Sequence, residues 1–517
     1  MLNLAIIFHM HQPYYKNLLT NETEMPWVRL HGAKDYLDMV QMLANYPKIH
    51  QTFNLVPSLL EQLEDYANRN VKDKFLELSY KNAKELTDYE KNFIRDNFFS
   101  INRERVISTH ARYYELLLKK EHNVEYQLED YLDLQVWFNL SWIDQSFRSS
   151  IPELKRIVEK GRFFSEEDKH IVLDKQLYII EDVIPGYKKA LERKQVELTL
   201  TPFYHPILPL VYNTKLAKEA NPRAALPRNN FAYPEDAWEQ IEEALHFFKE
   251  RFGNRVYGMW PSEQSVCEHI LPFIIDAGIN WIVADEAILF RSLKAKKRDT
   301  RLLYQPHLLK REKGSLNIVF RDRNLSDLLG FVYHRWIAKD AVNDFLKHLE
   351  NIATAYKNED ALVVLAMDGE NAWEYYSNDG HDFLELLYQE LSKSEFVKTV
   401  TISEYLQKYP AKHEIKRLAA GSWIFGDFGK WIGNPTKIKA WEYLAAARKE
   451  LQSNSEKIPS QNLDLAWKQM HICEGSDWFW WAGEDPHGGF DILFRQHLSN
   501  FYTLIGKDIP DYLNRPL

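Results

Sequence analysis

Two acidic residues are placed where they could carry out acid–base chemistry on one substrate bond. Segment 260–263, WPSE, ends in Glu263, and segment 367–371, MDGEN, contains Asp368; each follows a short apolar run. Side chains just beyond the carboxyl ends of parallel strands converge on one mouth, so acids that are far apart in the chain can flank one bond. Cleavage of a glycosidic bond requires such a pair, with one carboxylate at the anomeric carbon and one acid at the leaving oxygen. We therefore predict an active site that contains Glu263 and Asp368.

Short apolar runs that alternate with helical patterns must position these acids. The runs are residues 2–8, 49–53, 196–203, 256–259, 279–284, 316–320 and 362–366, with an eighth at 397–400. Strands that are apolar on both faces and alternate with helices predict a parallel sheet covered by helices. One helix is expected from Pro234 to Phe252, before Gly253, and another from about Ser262 to Ala277.

The pattern divides the 517 residues into a catalytic barrel and two helical regions. Residues 1–402 are predicted to form the barrel, which includes a helical insertion at about 59–192. Residues 403–517 are predicted to form a C-terminal helical domain that contributes to the active-site cleft.

Composition excludes several classes of partner. The net charge is −9 and no basic block is present, so nucleic acid is not an expected ligand. No apolar run approaches the roughly 20 residues of a membrane helix, and the N-terminus lacks the basic start of a signal peptide. Cys267 and Cys473 are too few for a disulfide framework. We therefore expect a cytoplasmic protein, and the sequence gives no indication of its oligomeric state.

Histidines and tryptophans supply the other candidate site residues. His9 and His11 lie at one strand end and His205 follows another, where imidazoles could bind a metal, contact a sugar or serve a structural role. Segment 477–481, DWFWW, is either a hydrophobic plug between domains or a platform on which sugar rings stack.

Taken in order, five segments resemble the conserved regions of glycoside hydrolase family 57. They are His11-Gln12-Pro13, His205 with its flanks, 260–263, 367–371 and 477–481. The resemblance implies an incomplete seven-stranded parallel (β/α)7 barrel with a C-terminal helical domain. It also implies retention of the anomeric configuration without a metal or other cofactor, with Glu263 as the nucleophile and Asp368 as the general acid/base.

Less direct expectations concern substrate binding. His9, His11 and His205 are predicted to contact the sugar ring at the cleavage point, and Trp260, Trp373 and Trp478 to stack on glucose faces. Asp322 either binds a hydroxyl or holds a neighbouring side chain. Asp477 is expected in the cleft beside Trp478, whereas Trp480 and Trp481 are expected to anchor the segment in the core. Glu370 is interpreted as a charge at a helix N-terminus.

The function predicted from these features is hydrolysis of α-1,4-glucosidic bonds in starch, glycogen or maltooligosaccharides, with action on α-1,6 bonds left open. The alternative within the family is a 4-α-glucanotransferase or branching enzyme, because a sugar hydroxyl can replace water. A metal-dependent polysaccharide deacetylase or α-mannosidase is a rival with different chemistry. It is disfavoured because no third ligand follows the two histidines at a recognisable spacing.

Overall fold

The computed structural model describes residues 1–253, 256–370, 373–486 and 488–517. Within those ranges the strands are β1 (Leu2–Met10), β2 (Glu22–Thr23), β3 (Gln51–Leu55), β4 (Lys72–Asp73), β5 (Val196–Thr199), β6 (Gly258–Met259), β7 (Trp281–Asp285), β8 (His307–Arg311), β9 (Gly314–Arg321), β10 (Leu362–Asp368), β11 (Val397–Thr399) and β12 (His413–Glu414).

The α-helices before β5 are α1 (Trp27–Lys34), α2 (Tyr36–Met42), α3 (Pro57–Ala67), α4 (Lys74–Tyr80), α5 (Asp88–Asn97), α6 (Ala111–Glu121), α7 (Leu128–Ser141), α8 (Gln145–Ser150), α9 (Pro152–Lys160), α10 (Glu166–Glu181) and α11 (Val183–Glu192). Between β5 and β12 lie α12 (Leu208–Tyr212), α13 (Ala217–Ala220), α14 (Pro234–Phe252), α15 (Leu271–Asp276), α16 (Glu286–Ser292), α17 (Thr300–Leu303), α18 (Arg323–Asp327), α19 (Ala338–Ala355), α20 (His381–Lys393) and α21 (Ile402–Lys408). The last helices are α22 (Pro435–Asn454), α23 (Ser460–Cys473), α24 (Ser476–Trp481) and α25 (Gly489–Leu504).

Ten of these strands form two five-stranded sheets in which parallel pairing dominates, and β2 pairs with β4 in a separate two-stranded sheet. In the first sheet the order is β10, β1, β3, β5, and β11 also pairs with β1. In the second the order is β12, β8, β9, β7, β6, and β8 runs antiparallel to β9. All nine residues of β1 are buried, as expected for a strand covered on both faces. The predicted α/β organisation with parallel sheets is confirmed.

The two sheets approach each other at both edges. Leu200, just after β5, pairs in parallel with Met259 of β6, and the Asp322 N–H, just after β9, donates to Val364 O of β10 at 2.8 Å. A buried apolar cluster includes side chains from both sheets, among them Ile7, Val283, Val319 and Ala366. The carboxyl ends of strands from both sheets therefore lie around one region.

The helix predicted from Pro234 to Phe252 is confirmed as α14, and Gly253 closes it in the left-handed conformation, φ 66°. The helix predicted from Ser262 to Ala277 is wrong, because only Leu271–Asp276 forms an α-helix. Glu263 and Gln264 have positive φ values of 57° and 49°, which an α-helix does not accommodate.

The hairpin β8–β9 was not predicted. Its turn contains Arg311, Glu312 and Lys313, so the charged run concealed the alternation of β8, in which Leu309 is fully buried. Gly314 begins β9 with φ 151°, a conformation that favours glycine.

Helical segments occupy the predicted insertion and the C-terminal region, and both pack on the strands; the domain boundaries stay predictions. Arg29 of α1 is buried, and its guanidinium donates to Asp73 and to Asn139 of α7, both at 2.8 Å. At the other end of the chain, the Ser476 N–H of α24 donates to His205 O at 3.0 Å. Across the described residues, no helix is long and apolar enough to cross a membrane.

Replacement of Gly258 by Ala should destabilise the fold. An added Cβ would lie 2.2 Å from the Trp281 ring and 2.8 Å from Thr199 Cγ2, and such overpacking costs roughly 1–3 kcal/mol. Thermal denaturation should show a lowered Tm for Gly258→Ala. Gly330→Ala is the control, because its Cβ would meet nothing closer than Met367 Cε at 3.9 Å; equal Tm values for the two variants would contradict the expectation.

Candidate active site

A short, strained turn presents Glu263 just beyond strand β6. The Gln264 N–H donates to Pro261 O at 2.6 Å and the Ser265 N–H donates to Ser262 O at 2.9 Å. These bonds hold Glu263 and Gln264 in the left-handed region, a conformation that costs a non-glycine residue roughly 1–3 kcal/mol and is common at functional sites. Asp368 needs no such turn, because it is the last residue of β10.

Glu263 and Asp368 line the same cavity, as the sequence analysis placed them. The cavity has a volume of about 260 Å³ and is lined by His9, His11, Gln12, Pro13, Tyr15, Glu263, Asp368, Glu370, Trp423, Asp477, Trp480, Trp481 and Phe490. Four of these side chains are carboxyls, so the cavity concentrates acidic groups from β6, β10 and α24.

Glu263 has an unusual affinity for a proton. Burial, followed by the negative charges of Asp368 and Asp477, raises its pKa to about 8, although the Trp423 hydrogen bond and the charge of Lys430 act in the opposite direction. Hydrogen bonding to the ionised form offsets part of the cost of burying that form. Ionisation of Glu263 thus depends on the donor that Trp423 provides.

Trp423 contacts Glu263 through two donors and was missed by the sequence analysis. Its indole N–H donates to Glu263 Oε2 at 2.6 Å, and its backbone N–H donates to Glu263 O at 3.2 Å. It lies in a loop with no strand before it, whereas the sequence analysis considered residues just beyond the carboxyl ends of predicted strands. The unused signal was the glycine- and aromatic-rich run 421–433, GSWIFGDFGKWIG.

Three imidazoles and one indole stack behind the carboxylates. The His9 ring lies 4.7 Å from Trp260 at an interplanar angle of 3°, and the His11 ring lies 4.0 Å from His205 at 20°. Burial and the neighbouring imidazole of His11 lower the pKa of His9 to about 3, and burial with both neighbours lowers that of His205 well below its usual value. His9 and His205 are therefore neutral over the physiological range.

The tautomer of His9 follows from Asn54. The Asn54 side-chain amide donates to Thr199 O at 3.2 Å, so its oxygen faces His9 Nδ1 at 2.6 Å and accepts a hydrogen bond from the Nδ1–H group. Neutral His9 therefore keeps Nε2 as an acceptor. His205 is fully buried, with Nδ1 at 2.8 Å from Ser476 Oγ and 4.0 Å from Glu263 Oε1. It lies behind His11, which corrects its predicted direct contact with a sugar.

Asp477 and Glu370 complete the acidic part of the cavity. One Asp477 carboxylate oxygen lies 3.0 Å from His11 Nε2. Glu370 Oε1 accepts from the His11 N–H at 3.2 Å, and burial together with the charge of Asp368 raises the pKa of Glu370 well above its usual value. Glu370 is thus a buried acid of the cavity wall, where burial favours its uncharged form; its interpretation as a helix N-terminal charge stays a prediction. Asn371 lies outside the described residues.

The same region contains three groups whose ligand atoms could surround a metal ion. Candidate atoms of His11, His205 and Asp477 lie within 4.8 Å of one another. Zinc requires lone pairs that converge on one centre, whereas the His11 and His205 rings are nearly parallel and stacked. The donor set therefore fits a metal poorly, and the predicted independence from metals stays a prediction.

The roles expected for the three tryptophans of segment 477–481 are reversed by the structure, whereas Asp477 lines the cavity. Trp478 is 2% exposed, and its indole N–H donates to Ile472 O at 2.7 Å. Trp480 and Trp481 line the cavity instead. In the short helix α24, Asp477, Trp480 and Trp481 lie on the side that faces the cavity, while Trp478 faces α25 and packs against Phe494.

Two other predicted stacking residues are also buried. Trp260 is 0% exposed and packs on His9, and Trp373 is 2% exposed with its indole N–H on Gly369 O at 2.9 Å. Neither side chain can present a face to a sugar, so both support the walls of the site.

Asp322 is not a substrate ligand. It is 1% exposed and accepts hydrogen bonds from Arg298 at 2.8 Å and from the Tyr304 hydroxyl at 2.7 Å. Its other oxygen accepts from the Leu325 N–H at 3.0 Å, which caps helix α18. Of the two roles considered, the structure shows that of holding neighbouring groups.

Comparisons with known proteins show the family to which the chain belongs. The model of a family described as Glycosyl hydrolase family 57 matches residues 5–417. Alpha-amylase 1 of Dictyoglomus thermophilum is 24% identical over 277 residues, which are 53% of this chain and 33% of that relative. The chain thus matches about a third of the length of this relative.

Two solved structures are similar in fold over almost the whole chain. A branching enzyme from Pyrococcus horikoshii aligns with a TM-score of 0.61 and 16% identity, covering 97% of this chain and 89% of that one. An α-amylase from Thermotoga maritima aligns with a TM-score of 0.60 and 13% identity, covering 98% and 93%.

Replacement of Trp478 by Ala should act on stability. Removing a buried indole of this size costs roughly 3–5 kcal/mol, so Trp478→Ala should lower the Tm strongly, and Trp478→Phe should lower it less because the ring is kept. Differential scanning calorimetry measures both. A Trp478→Ala protein with the parental Tm would contradict the buried position of this side chain.

Proposed function

Because the chain belongs to glycosyl hydrolase family 57, we propose that it is a retaining α-glucan hydrolase. Its proposed substrates are starch, glycogen or maltooligosaccharides, cleaved at α-1,4-glucosidic bonds by double displacement, with α-1,6 bonds an open extension. The observation that carries this proposal is that Glu263 and Asp368, from the ends of different strands, line one cavity. The names of the α-amylase relatives support the choice of substrate.

In the proposed mechanism Glu263 attacks the anomeric carbon and forms a covalent glycosyl-enzyme. Asp368 protonates the departing glycosidic oxygen and then takes a proton from the water that releases the sugar. Retaining enzymes hold the two carboxyl groups roughly 5–5.5 Å apart, and we expect that separation here. Attack requires the ionised form of Glu263, which the Trp423 indole N–H favours.

Other groups of the cavity have roles that follow from their chemistry. Neutral His9 carries its proton on Nδ1, so its Nε2 can accept a hydrogen bond from a sugar hydroxyl. Glu370 has an oxygen, Oε2, with no hydrogen-bond partner among the described residues, which can contact a hydroxyl. Trp480 and Trp481, rather than Trp478, can offer aromatic faces to glucose rings.

We further propose that the two sheets form one incomplete (β/α)7 barrel followed by a C-terminal helical domain. Supporting this, β1, β3, β5, β6, β7, β9 and β10 follow one another across the two contacts described above. A cytoplasmic location is also proposed, and it is supported by Cys267 and Cys473, which are buried and unpaired as in reducing compartments.

The alternative is transfer of the glucosyl group to a sugar hydroxyl, as in a 4-α-glucanotransferase or branching enzyme. The fold similarity to a branching enzyme supports transfer as the second candidate activity. The metal-dependent deacetylase or α-mannosidase is less favoured, since the stacked imidazoles suit zinc poorly.

Glu263→Gln should separate chemistry from folding. The variant keeps the size of the side chain and removes the nucleophile, so turnover of maltoheptaose should fall by roughly 10³-fold or more with no loss of thermal stability. For Asp368→Ala acting on α-maltosyl fluoride, whose fluoride leaves without a general acid, added azide should partly restore turnover by attacking the glycosyl-enzyme and releasing maltosyl azide. Chromatographic sizing of products distinguishes hydrolysis from transfer, and near-normal turnover by Glu263→Gln would refute the assigned nucleophile.

The pH dependence of kcat/KM should report the ionisation of Glu263. Its pKa is raised to about 8, so activity should rise with pH through that value. Trp423→Phe removes a donor that favours the ionised form, so the acidic limb should move upward by up to about one to two pH units. Asp477→Asn removes a negative charge that raises the pKa of Glu263, so the acidic limb should move to lower pH.

Trp480→Phe is the matched control, because it removes an indole from the same cavity and leaves the N–H that contacts Glu263. Its acidic limb should coincide with that of the parent enzyme. An unshifted limb in Trp423→Phe would contradict the role given to the indole.

A further inference from the structure

A second cavity, with a volume of about 420 Å³, adjoins the active site and shares Asp368 and Trp423 with it. Its other walls come from the end of β9 and the segment after it, from Met367 of β10 and from Tyr375, and they do not include Glu263. The three stacked imidazoles of the active site are also absent from its lining. The two cavities therefore meet at the proposed general acid, and the second extends away from the proposed nucleophile.

Two aromatic side chains border this second cavity and are exposed to solvent. Phe331 is 71% exposed and Tyr375 is 53% exposed, and both line the cavity. Phe331 lies in a π-helical turn, Leu328–Val332, a conformation that is rare and frequent at functional sites. Exposed rings that border a cavity provide faces on which the apolar side of a sugar can stack.

A fixed carboxylate provides the polar complement. Asp327 is partly exposed, lines the cavity and accepts a hydrogen bond from Arg321 at 2.6 Å. The same guanidinium donates to Ala366 O at 3.1 Å and lies over the Trp423 ring, 5.3 Å from its centroid. Asp327 is thus held in place, where it can accept hydrogen bonds from hydroxyl groups.

The position of Asp368 decides which part of a glucan these groups would meet. A general acid protonates the leaving oxygen, so the sugar that departs must lie on the acid's side of the scissile bond. We propose that this cavity binds the leaving-group segment of an α-1,4-glucan, with Phe331 and Tyr375 as its stacking platform. The inference rests on the proposed function and specifies where that function binds its leaving sugar.

The same site receives the acceptor when a sugar hydroxyl replaces water. In the second half of a retaining reaction, Asp368 deprotonates whatever occupies the leaving-group side. An acceptor sugar held by the two rings competes with water there. Phe331 and Tyr375 therefore influence the ratio of transfer to hydrolysis as well as the binding of oligosaccharides.

The test compares a substrate that has a leaving sugar with one that has none. The leaving group of maltoheptaose is a sugar that would occupy the second cavity, whereas the leaving group of α-maltosyl fluoride is a fluoride ion. For the double variant Phe331→Ala/Tyr375→Ala, kcat/KM on maltoheptaose should fall by roughly 10- to 100-fold, while kcat/KM on the fluoride should stay within about twofold. With p-nitrophenyl glucoside as acceptor, the yield of coupled product from the fluoride should fall relative to hydrolysis.

Two control variants accompany the double variant. Tyr375→Phe keeps the ring and should lose much less kcat/KM on maltoheptaose than the double variant does. Phe163→Ala removes a ring that is 63% exposed on the helical insertion. It should leave kcat/KM unchanged on maltoheptaose and on α-maltosyl fluoride. Thermal denaturation checks that each variant is folded.

The outcomes separate failure of this inference from failure of the proposed function. Equal losses on the two substrates, or no loss on maltoheptaose, would overturn the assignment of the second cavity and leave the proposed function standing. A parent enzyme that is inactive on both substrates would overturn the proposed function, and the cavity assignment with it.

Discussion

Mutual repulsion among carboxylates in a buried cavity is the constraint that the rest of the site must satisfy. Glu263, Asp368, Glu370 and Asp477 line one small space, and burial of several negative charges together is strongly unfavourable. Burial and the charge of Asp368 raise the pKa of Glu370, which favours its uncharged form, and a hydrogen bond from Trp423 stabilises the ionised form of Glu263. His9 and His205 contribute no positive charge, because burial and mutual proximity keep them neutral.

This arrangement draws on segments that are far apart in the chain. Strands β6 and β10 deliver the two proposed catalytic acids, whereas the loop with Trp423 and helix α24 supply the groups that set their electrostatic environment. The strained turn at Glu263 is stabilised by its contacts: Trp423 binds both its carbonyl and its carboxylate. Backbone strain and carboxylate burial are therefore offset by the same residue.

The parts of the site that obey a local rule could be predicted from the sequence. Glu263 and Asp368 follow apolar strands, so the parallel-sheet pattern located them. The orientation of a tryptophan in a run such as 477–481 depends on the helix phase and on what packs behind it, and neither is visible in the run itself. Trp423 could not be predicted, because it lies 160 residues from Glu263 in the chain and does not follow a strand. The interruption of the helix after Ser262 could not be predicted, because the positive φ values at Glu263 and Gln264 come from tertiary contacts.

The anchoring of His205 to α24 has a consequence for the order of events during synthesis. The backbone and side chain of Ser476 bind His205, and Asp477 binds His11, so these two histidines acquire their partners only once α24 has been made. A ribosome-bound chain that already contains every strand of both sheets still lacks these contacts. Assembly of the pocket is therefore coupled to synthesis of α24, and a nascent chain that lacks α24 lacks the partners of both imidazoles.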